Sequence, residues 1–208
     1  MRTLHRFYSQ EKLGQKNSKL ITRGPLVNQL KNVFRLGAGE NVILFDGSGF
    51  DFTATIEAYE KDSVSFFITE VNQNSVKPER EIYLFASLVK KDNFEWIAQK
   101  ATELGVSHIV PILSERSEKK NLNIERLQKI ISEAAEQSGR GTLPELSEIL
   151  DLEDALTKYA NVNSIVWDIQ ATKFVSQDLT DVVGAYVGPE GGWSAKELEL
   201  FAKHNIKT

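Results

Sequence analysis

At 208 residues with 41% hydrophobic content, the chain holds enough apolar material for one soluble globular domain or two small ones. It has no cysteine, which excludes disulfides, thiolate nucleophiles and cysteine-bound zinc; His5, His108 and His204 are too far apart for a local ligand motif, so no metal is expected. The net charge of −4 argues against a generic nucleic-acid binder, yet residues 1–35 carry eight basic residues against the single acid Glu11, making that segment +7 and the remainder −11. Such asymmetry fits either a polyanion-binding face or an ordinary solvated surface. The opening "MRTLHRFYSQ" lacks the apolar core of a signal peptide, and no apolar run is long enough to span a bilayer, so a cytoplasmic protein with no membrane partner is expected.

Residues 1–72 read as β-rich. "NVILFDG" and "FDFTATIEAYE" flank the turn Gly47-Ser48-Gly49, and "SVSFFITEV" follows, which predicts a small barrel or curled sheet. "NQNSVKPER", residues 72–80, is polar, contains a proline and reads as a linker. From residue 81 strands and helices alternate: "EIYLFASLV", the helix "FEWIAQKATELG", "HIVPIL", the long helix "NIERLQKIISEAAEQSG", a helix around "LEDALTKYA", the strands "SIVWDI" and "GAYVG", and the helix "SAKELELFAKHN". That alternation predicts a parallel sheet with crossovers, an α/β domain over 73–208.

At about 100° per residue, Phe94, Ile97, Ala98, Ala101 and Leu104 share one helix face and Trp96 points away. An outward tryptophan suits a neighbouring subunit, a stacked base or another element of the same chain. In the long helix Leu127, Ile130, Ile131, Ala134 and Ser138 form the apolar face, bordered by Glu133, Gln137 and Arg140. That polar row reads as a cleft edge, a subunit seam or local pairing on a solvated flank.

The segment "AYVGPEGGWSAKELEL", residues 185–200, carries the strongest chemical signal. Pro189 lacks an amide hydrogen, Gly191 and Gly192 permit positive φ and close approach of a ligand, and Ser194 with Glu197 makes a capping box that starts a helix. A glycine loop between a buried strand's carboxyl end and a helix N-terminus is where open α/β sheets bind ligands. It matches neither the Walker loop nor the dinucleotide fingerprint, and its own carboxylate, Glu190, suits a neutral or cationic ligand better than phosphate.

Seven strings, "HRFY" (5–8), "NVFRLGAGE" (32–40), "FDGSG" (45–49), "FEWIAQKATELGV" (94–106), "SERS" (114–117), "EAAEQSGR" (133–140) and "GPEGGWS" (188–194), together resemble the SPOUT-class, RsmE-type ribosomal RNA methyltransferases in order and spacing over nearly the whole chain. The resemblance implies a PUA-like β-barrel for RNA over 1–72, an α/β domain with a trefoil knot over 73–208, S-adenosylmethionine as methyl donor, a homodimer, and N3 of a uridine in 16S ribosomal RNA or the small ribosomal subunit as target. Family members continue past the last helix into a further strand and a segment resembling "LGxRILRxETA". This chain stops at "AKHNIKT", so a C-terminally truncated domain with an incomplete knot and doubtful activity is the expectation.

On that resemblance the cofactor is assigned to Gly188, Pro189, Glu190, Gly191 and Gly192, with Asp168, Ile169 and Gln170 forming another wall. Glu190, Arg116 and Arg140 are the catalytic candidates: Glu190 as base or orienting group, the arginines for RNA phosphate or charge developing on uracil. Glu133 and Glu136 are alternatives that serve helix pairing or a dimer seam. Arg2, His5, Arg6, Arg23 and Arg35 are the RNA candidates; Phe7 and Tyr8 offer either stacking faces or barrel core. Two rivals remain open, a noncatalytic RNA-binding or assembly module and a small-molecule α/β enzyme that ignores RNA.

Overall fold

Where strand formers, apolar runs and turn signals predict strands, the computed structural model has them. It describes residues 4–76, 78–117, 121–168 and 180–206, in two compact units: residues 1–77 with 135–143, and residues 78–134 with 144–208.

The first unit holds β1 (Arg6–Tyr8), β2 (Lys19–Arg23), a short helix α1 (Pro25–Asn28) that runs into a π-helical turn (Gln29–Val33), β3 (Asn41–Phe45), β4 (Phe50–Tyr59) and β5 (Ser63–Gln73). Among the described residues these strands form a sheet ordered β1-β3-β4-β5-β2; β1 runs parallel to β3 and the other pairs are antiparallel. Register shifts between β4 and β5 at Thr53/Ala54 and Ile56/Ala58 add twist, which curls the sheet around Phe7, Leu30, Val42, Leu44, Phe66 and Ile68. Phe7 is therefore core. The strands β1 and β2 lie in the basic N-terminal segment, where long polar side chains hide the alternation. The polar stretch from residue 72 is not wholly linker, because β5 continues to Gln73 and Asn74 donates to both carboxylate oxygens of Asp51, at 2.9 and 3.0 Å.

A distant piece of chain completes this unit. The helix α3 (Ile124–Ser138) contributes its last turn, followed by residues 139–143. Glu136 accepts the Tyr8 backbone N–H at 2.8 Å and the Gln29 side-chain amide at 3.1 Å. Arg6 forks onto Asp51 at 2.7 and 2.9 Å and also donates to the Arg140 carbonyl at 3.2 Å. The Gly49 N–H donates to the Gly141 carbonyl at 3.1 Å. Arg140 does not extend the helical row of Glu133 and Gln137 that the spacing predicts: the helix ends at Ser138, Gly139 takes φ +77°, and Arg140 turns inside, 2% exposed, where burial pulls its pKa below the ordinary arginine value. Glu133 instead pairs with Lys129 at 3.8 Å, one turn earlier on the exposed flank.

The second unit contains β6 (Glu81–Ser87), α2 (Lys91–Glu103), β7 (His108–Leu113), β8 (Glu145–Leu146), β9 (Leu150–Asp151), α4 (Leu152–Lys158), β10 (Asn163–Trp167), β11 (Val182–Val187) and α5 (Ala195–Lys203), with α3 as far as Ala134. Its described strands are all parallel, ordered β10-β11-β6-β7-β8 with β9 also on β7. Phe85, Val110, Leu156, Tyr186 and Phe201 build the core, the Phe85 and Tyr186 rings stacked 4.2 Å apart. On α2, Phe94, Ala98 and Ala101 are buried and Trp96 is outward, as the spacing predicts. Leu104 departs from it: the helix ends at Glu103, and as the C-cap residue before Gly105 (φ +94°) Leu104 is 81% exposed. Among the described residues no helix is long and apolar enough to cross a membrane, and no group of three potential metal ligands is found.

At the amino end of the sheet His108 lies between two carboxylates, Nε2 at 2.7 Å from Glu81 and Nδ1 at 3.3 Å from Glu145, with its ring stacked 4.0 Å from Tyr83. The hydrogen bond from His108, then one from Tyr83, hold the Glu81 carboxyl below its ordinary value of 4.5; burial and then Glu81 push the Tyr83 hydroxyl up to about 12. A depressed carboxyl pKa contributes stability that is complete above the unfolded value and is lost as pH falls through the folded one. Glu81→Gln should therefore remove part of the stability seen above pH ~4.5 and flatten the acid limb below it. Urea unfolding followed from pH 7 to 3 checks this, and parallel curves for the two proteins would contradict it.

Candidate functional site

The glycine loop joins β11 to α5 at the carboxyl edge of the parallel sheet. The Gly192 N–H closes a turn onto the Pro189 carbonyl at 2.8 Å, and Gly192 takes φ +68°, a conformation that favours glycine. Gly188 is small for another reason: a Cβ there would stand 3.1 Å from the Trp193 indole. Trp193 is buried, packs edge-on to Phe201 at 4.9 Å and donates its indole N–H to the Trp167 carbonyl at 3.2 Å. The loop thus folds back over the end of β10. The helix then starts with the predicted capping box: the Ser194 hydroxyl accepts the Glu197 N–H at 3.2 Å and the Glu197 carboxylate accepts the Ser194 N–H at 2.8 Å.

Two other elements reach this loop. From the turn after β7, Arg116 donates through Nη1 to the Gly191 carbonyl at 2.5 Å and to the Trp193 carbonyl at 3.4 Å. From the first turn of α2, the Asn93 amide donates to Glu190 Oε1 at 3.0 Å and so orients an exposed carboxylate. Trp167 and Val187 are register partners at the ends of β10 and β11, and both are exposed, at 57% and 36%. A Cβ placed on Gly192 would meet nothing within 4 Å. The loop therefore offers open main chain beside exposed apolar side chains, a surface for a ligand with a flat apolar part and polar edges.

Of the residues singled out from sequence, Gly188, Pro189, Glu190, Gly191, Gly192 and Arg116 come together here. Asp168 comes directly after Trp167 and is partly buried; Ile169, Gln170 and Arg2 lie outside the described residues. Arg140 belongs to the first unit. So does Arg6, which is a structural ion pair with its side chain 15% exposed rather than an open cation. Arg23 and Arg35 are exposed, and His5 is exposed with its ring tilted against Phe34 at 4.8 Å. Sequence reasoning misses Asn93, Trp167 and Val187. A tryptophan ending the apolar run "SIVW" is the available signal for Trp167; Asn93 has none, because its role depends on a partner 97 positions away.

Known proteins share this architecture. The family model for an RNA methyltransferase domain matches residues 76–208, and that for an RNA methyltransferase PUA domain matches residues 26–69. The chain is 28% identical over 207 residues to the ribosomal RNA small subunit methyltransferase E of Rickettsia conorii, covering 96% of this chain and 84% of the relative. It is 30% identical over 200 residues to the protein of the same name from Bacillus subtilis, covering 88% and 78%. The crystal structure of a ribosomal RNA small subunit methyltransferase E from Neisseria gonorrhoeae bound to S-adenosyl methionine superposes with a TM-score of 0.90 at 28% identity, covering 99% and 88%.

The loop geometry makes a direct prediction. Gly188→Ala should destabilise the chain by about 1–3 kcal/mol, the usual range for overpacking. Gly192→Ala should cost about 1–2 kcal/mol, through a left-handed backbone forced on a Cβ. Urea midpoints measure both, and an unchanged midpoint for Gly188→Ala would mean that the Trp193 ring does not press on residue 188.

Proposed function

Because the chain belongs to the ribosomal RNA small subunit methyltransferase E family, we propose that it transfers a methyl group from S-adenosylmethionine to N3 of a uridine in small-subunit ribosomal RNA. The observation that carries the reading is the capped glycine loop at the carboxyl end of β11, set beside exposed Trp167 and Val187. The residues present suit this cofactor: an adenine ring has the flat apolar face that Trp167 and Val187 can cover, and the space beside Gly192 is open for close approach. When bound, the cofactor supplies an electrophilic methyl carbon on a sulfonium, so the protein need not activate the donor.

What remains for the chain is to hold the acceptor and remove a proton. The imide nitrogen loses its proton as the new N–C bond forms, and Glu190, oriented by Asn93, is the carboxylate assigned to receive it. Arg116 uses one nitrogen on loop carbonyls and has further N–H donors for RNA phosphate or for negative charge growing on a uracil oxygen. Arg140 is left out of this assignment, since its side chain is buried. Arg23, Arg35 and His5 supply the exposed contacts for RNA on that unit, and the acting species is a homodimer on 16S ribosomal RNA or the small subunit.

Single-turnover transfer of labelled methyl to small-subunit ribosomal RNA, with the modified base located by mass spectrometry, tests the reaction. Glu190→Gln should slow it about 100-fold, the scale of a lost general base, while RNA affinity stays level. A normal rate would remove Glu190 from the chemistry, and RNA binding without any transfer would leave only a binding module. Arg23→Glu together with Arg35→Glu should weaken RNA binding and lower the slope of log affinity against log salt by about 0.7 for each lost phosphate contact. Titrations at several salt concentrations decide this; an unchanged slope would place the RNA elsewhere.

A further inference from the structure

A capping box needs one carboxylate oxygen, and Glu197 has two. Oε2 serves the box by accepting the Ser194 N–H at 2.8 Å. Oε1 does something the box does not require: it accepts the backbone N–H of Glu115 at 2.9 Å, from the turn after β7, 82 positions earlier in the chain. Glu197 is 3% exposed, so its charge has left water and each of these donors matters.

The turn it reaches is itself closed. The Ser117 N–H donates to the Ser114 carbonyl at 3.0 Å, the Ser114 N–H donates to the Ser117 hydroxyl at 3.0 Å, and the two hydroxyls are 2.8 Å apart. From this turn Arg116 reaches back to the Gly191 and Trp193 carbonyls. Two links therefore run from this turn to the loop and the helix that follows it, both donated by the turn: the Glu115 N–H to Glu197 on α5 and the Arg116 guanidinium to the glycine-loop carbonyls. The exposed Lys196 and Glu115 side chains, 3.9 Å apart, add little to it.

We infer that Glu197 is a positioning residue: its carboxylate ties the 114–117 turn to the start of α5 and so sets where Arg116 stands during methyl transfer. This rests on the function proposed above. The residue type is informative, because glutamine closes a capping box as well as glutamate does, whereas only a carboxylate presents two oxygens that both accept. In Glu197→Gln one of the two N–H donors must face an NH2 group, and the Ser194 bond is the one held within its own helix turn.

The experiment compares wild type, Glu197→Gln, Arg116→Ala and the double variant. Amide exchange followed by NMR should be at least about tenfold faster at Glu115 in Glu197→Gln, with Ser194 still protected. The methyl-transfer kcat should fall on the order of 10- to 100-fold, as expected for a displaced catalytic group, while S-adenosylmethionine affinity by calorimetry changes less than about threefold. In the Arg116→Ala background Glu197→Gln should reduce kcat by no more than about twofold, since both changes remove the same placement. If Glu197→Gln does not fold, Glu115→Pro deletes that backbone donor, leaves the Ser194–Glu197 capping box in place and loses besides only the weak, exposed contact to Lys196; it should give the same loss of kcat. Unchanged exchange at Glu115, or multiplicative losses in the double variant, would overturn the assignment. A wild-type chain that transfers no methyl group would overturn the proposed function and its catalytic consequence together, while the exchange rates still decide whether Glu197 holds the turn.

Discussion

A carboxylate partly or wholly withdrawn from water needs donors for its oxygens, and in each unit a glutamate meets that need with a backbone N–H group from far away in the chain. In the first unit Glu136, on the last turn of α3, takes the Tyr8 N–H of strand β1 and the Gln29 amide. In the second, Glu197 takes the Ser194 N–H at the start of its own helix and the Glu115 N–H after β7. Each of these four contacts is a directional hydrogen bond. Such bonds fix a segment's position more tightly than a contact between two mobile charged side chains, whose attraction survives many arrangements.

In the second unit this constraint shapes the chemistry. Parallel strands bring the ends of β6, β7, β10 and β11 to one edge, where loops are free to carry function. The glycine loop could have been a loose connection. Instead the Trp193 ring anchors it to β10, the capping box anchors it to α5, and Arg116 anchors its carbonyls to the turn after β7. With its shape set by three neighbours, the loop can leave Glu190 and open main chain on the exposed side, where Asn93 supplies the last constraint. Preorganisation of this kind lets binding energy go into the reaction geometry and not into ordering the site.

The elements are readable where one local rule governs them. The strand formers of "FDFTATIEAYE" beside the Gly47-Ser48-Gly49 turn, the alternation of strand and helix after residue 81, and the Ser194-x-x-Glu197 cap need no partner to be seen. Sequence reasoning fails where the decisive partner is remote. Arg140 reads as the next polar residue of a helix, yet the helix ends at Ser138, Gly139 takes a positive φ and Arg140 is buried. Leu104 fits the apolar face of α2 by angle, yet the helix has ended by then. Gly188 reads as part of a ligand loop, and the room its missing side chain leaves for Trp193 is visible only in the fold. Glu197 is the clearest case: its first role is written in a four-residue pattern, and its second is invisible without the fold.

Remote partners also change the electrostatics of the N-terminal segment. A formal +7 counts every basic residue as though it faced solvent. Arg6 is matched by Asp51 in a two-pronged bond, Lys19 stands 3.3 Å from Glu57, and Lys31 lies over the Tyr59 ring at 5.7 Å. Arg6 is thus withdrawn from any outward field, whereas Lys19 and Lys31 remain exposed and their partners only dilute them. Among the described residues, the charge that a polyanion would feel resides in the exposed Lys12, Lys16, Lys19, Arg23, Lys31 and Arg35. Three residues of the "HRFY" string that opens the family resemblance accordingly have internal partners: Phe7 lies in the core, the Tyr8 N–H donates to Glu136, and Arg6 pairs with Asp51.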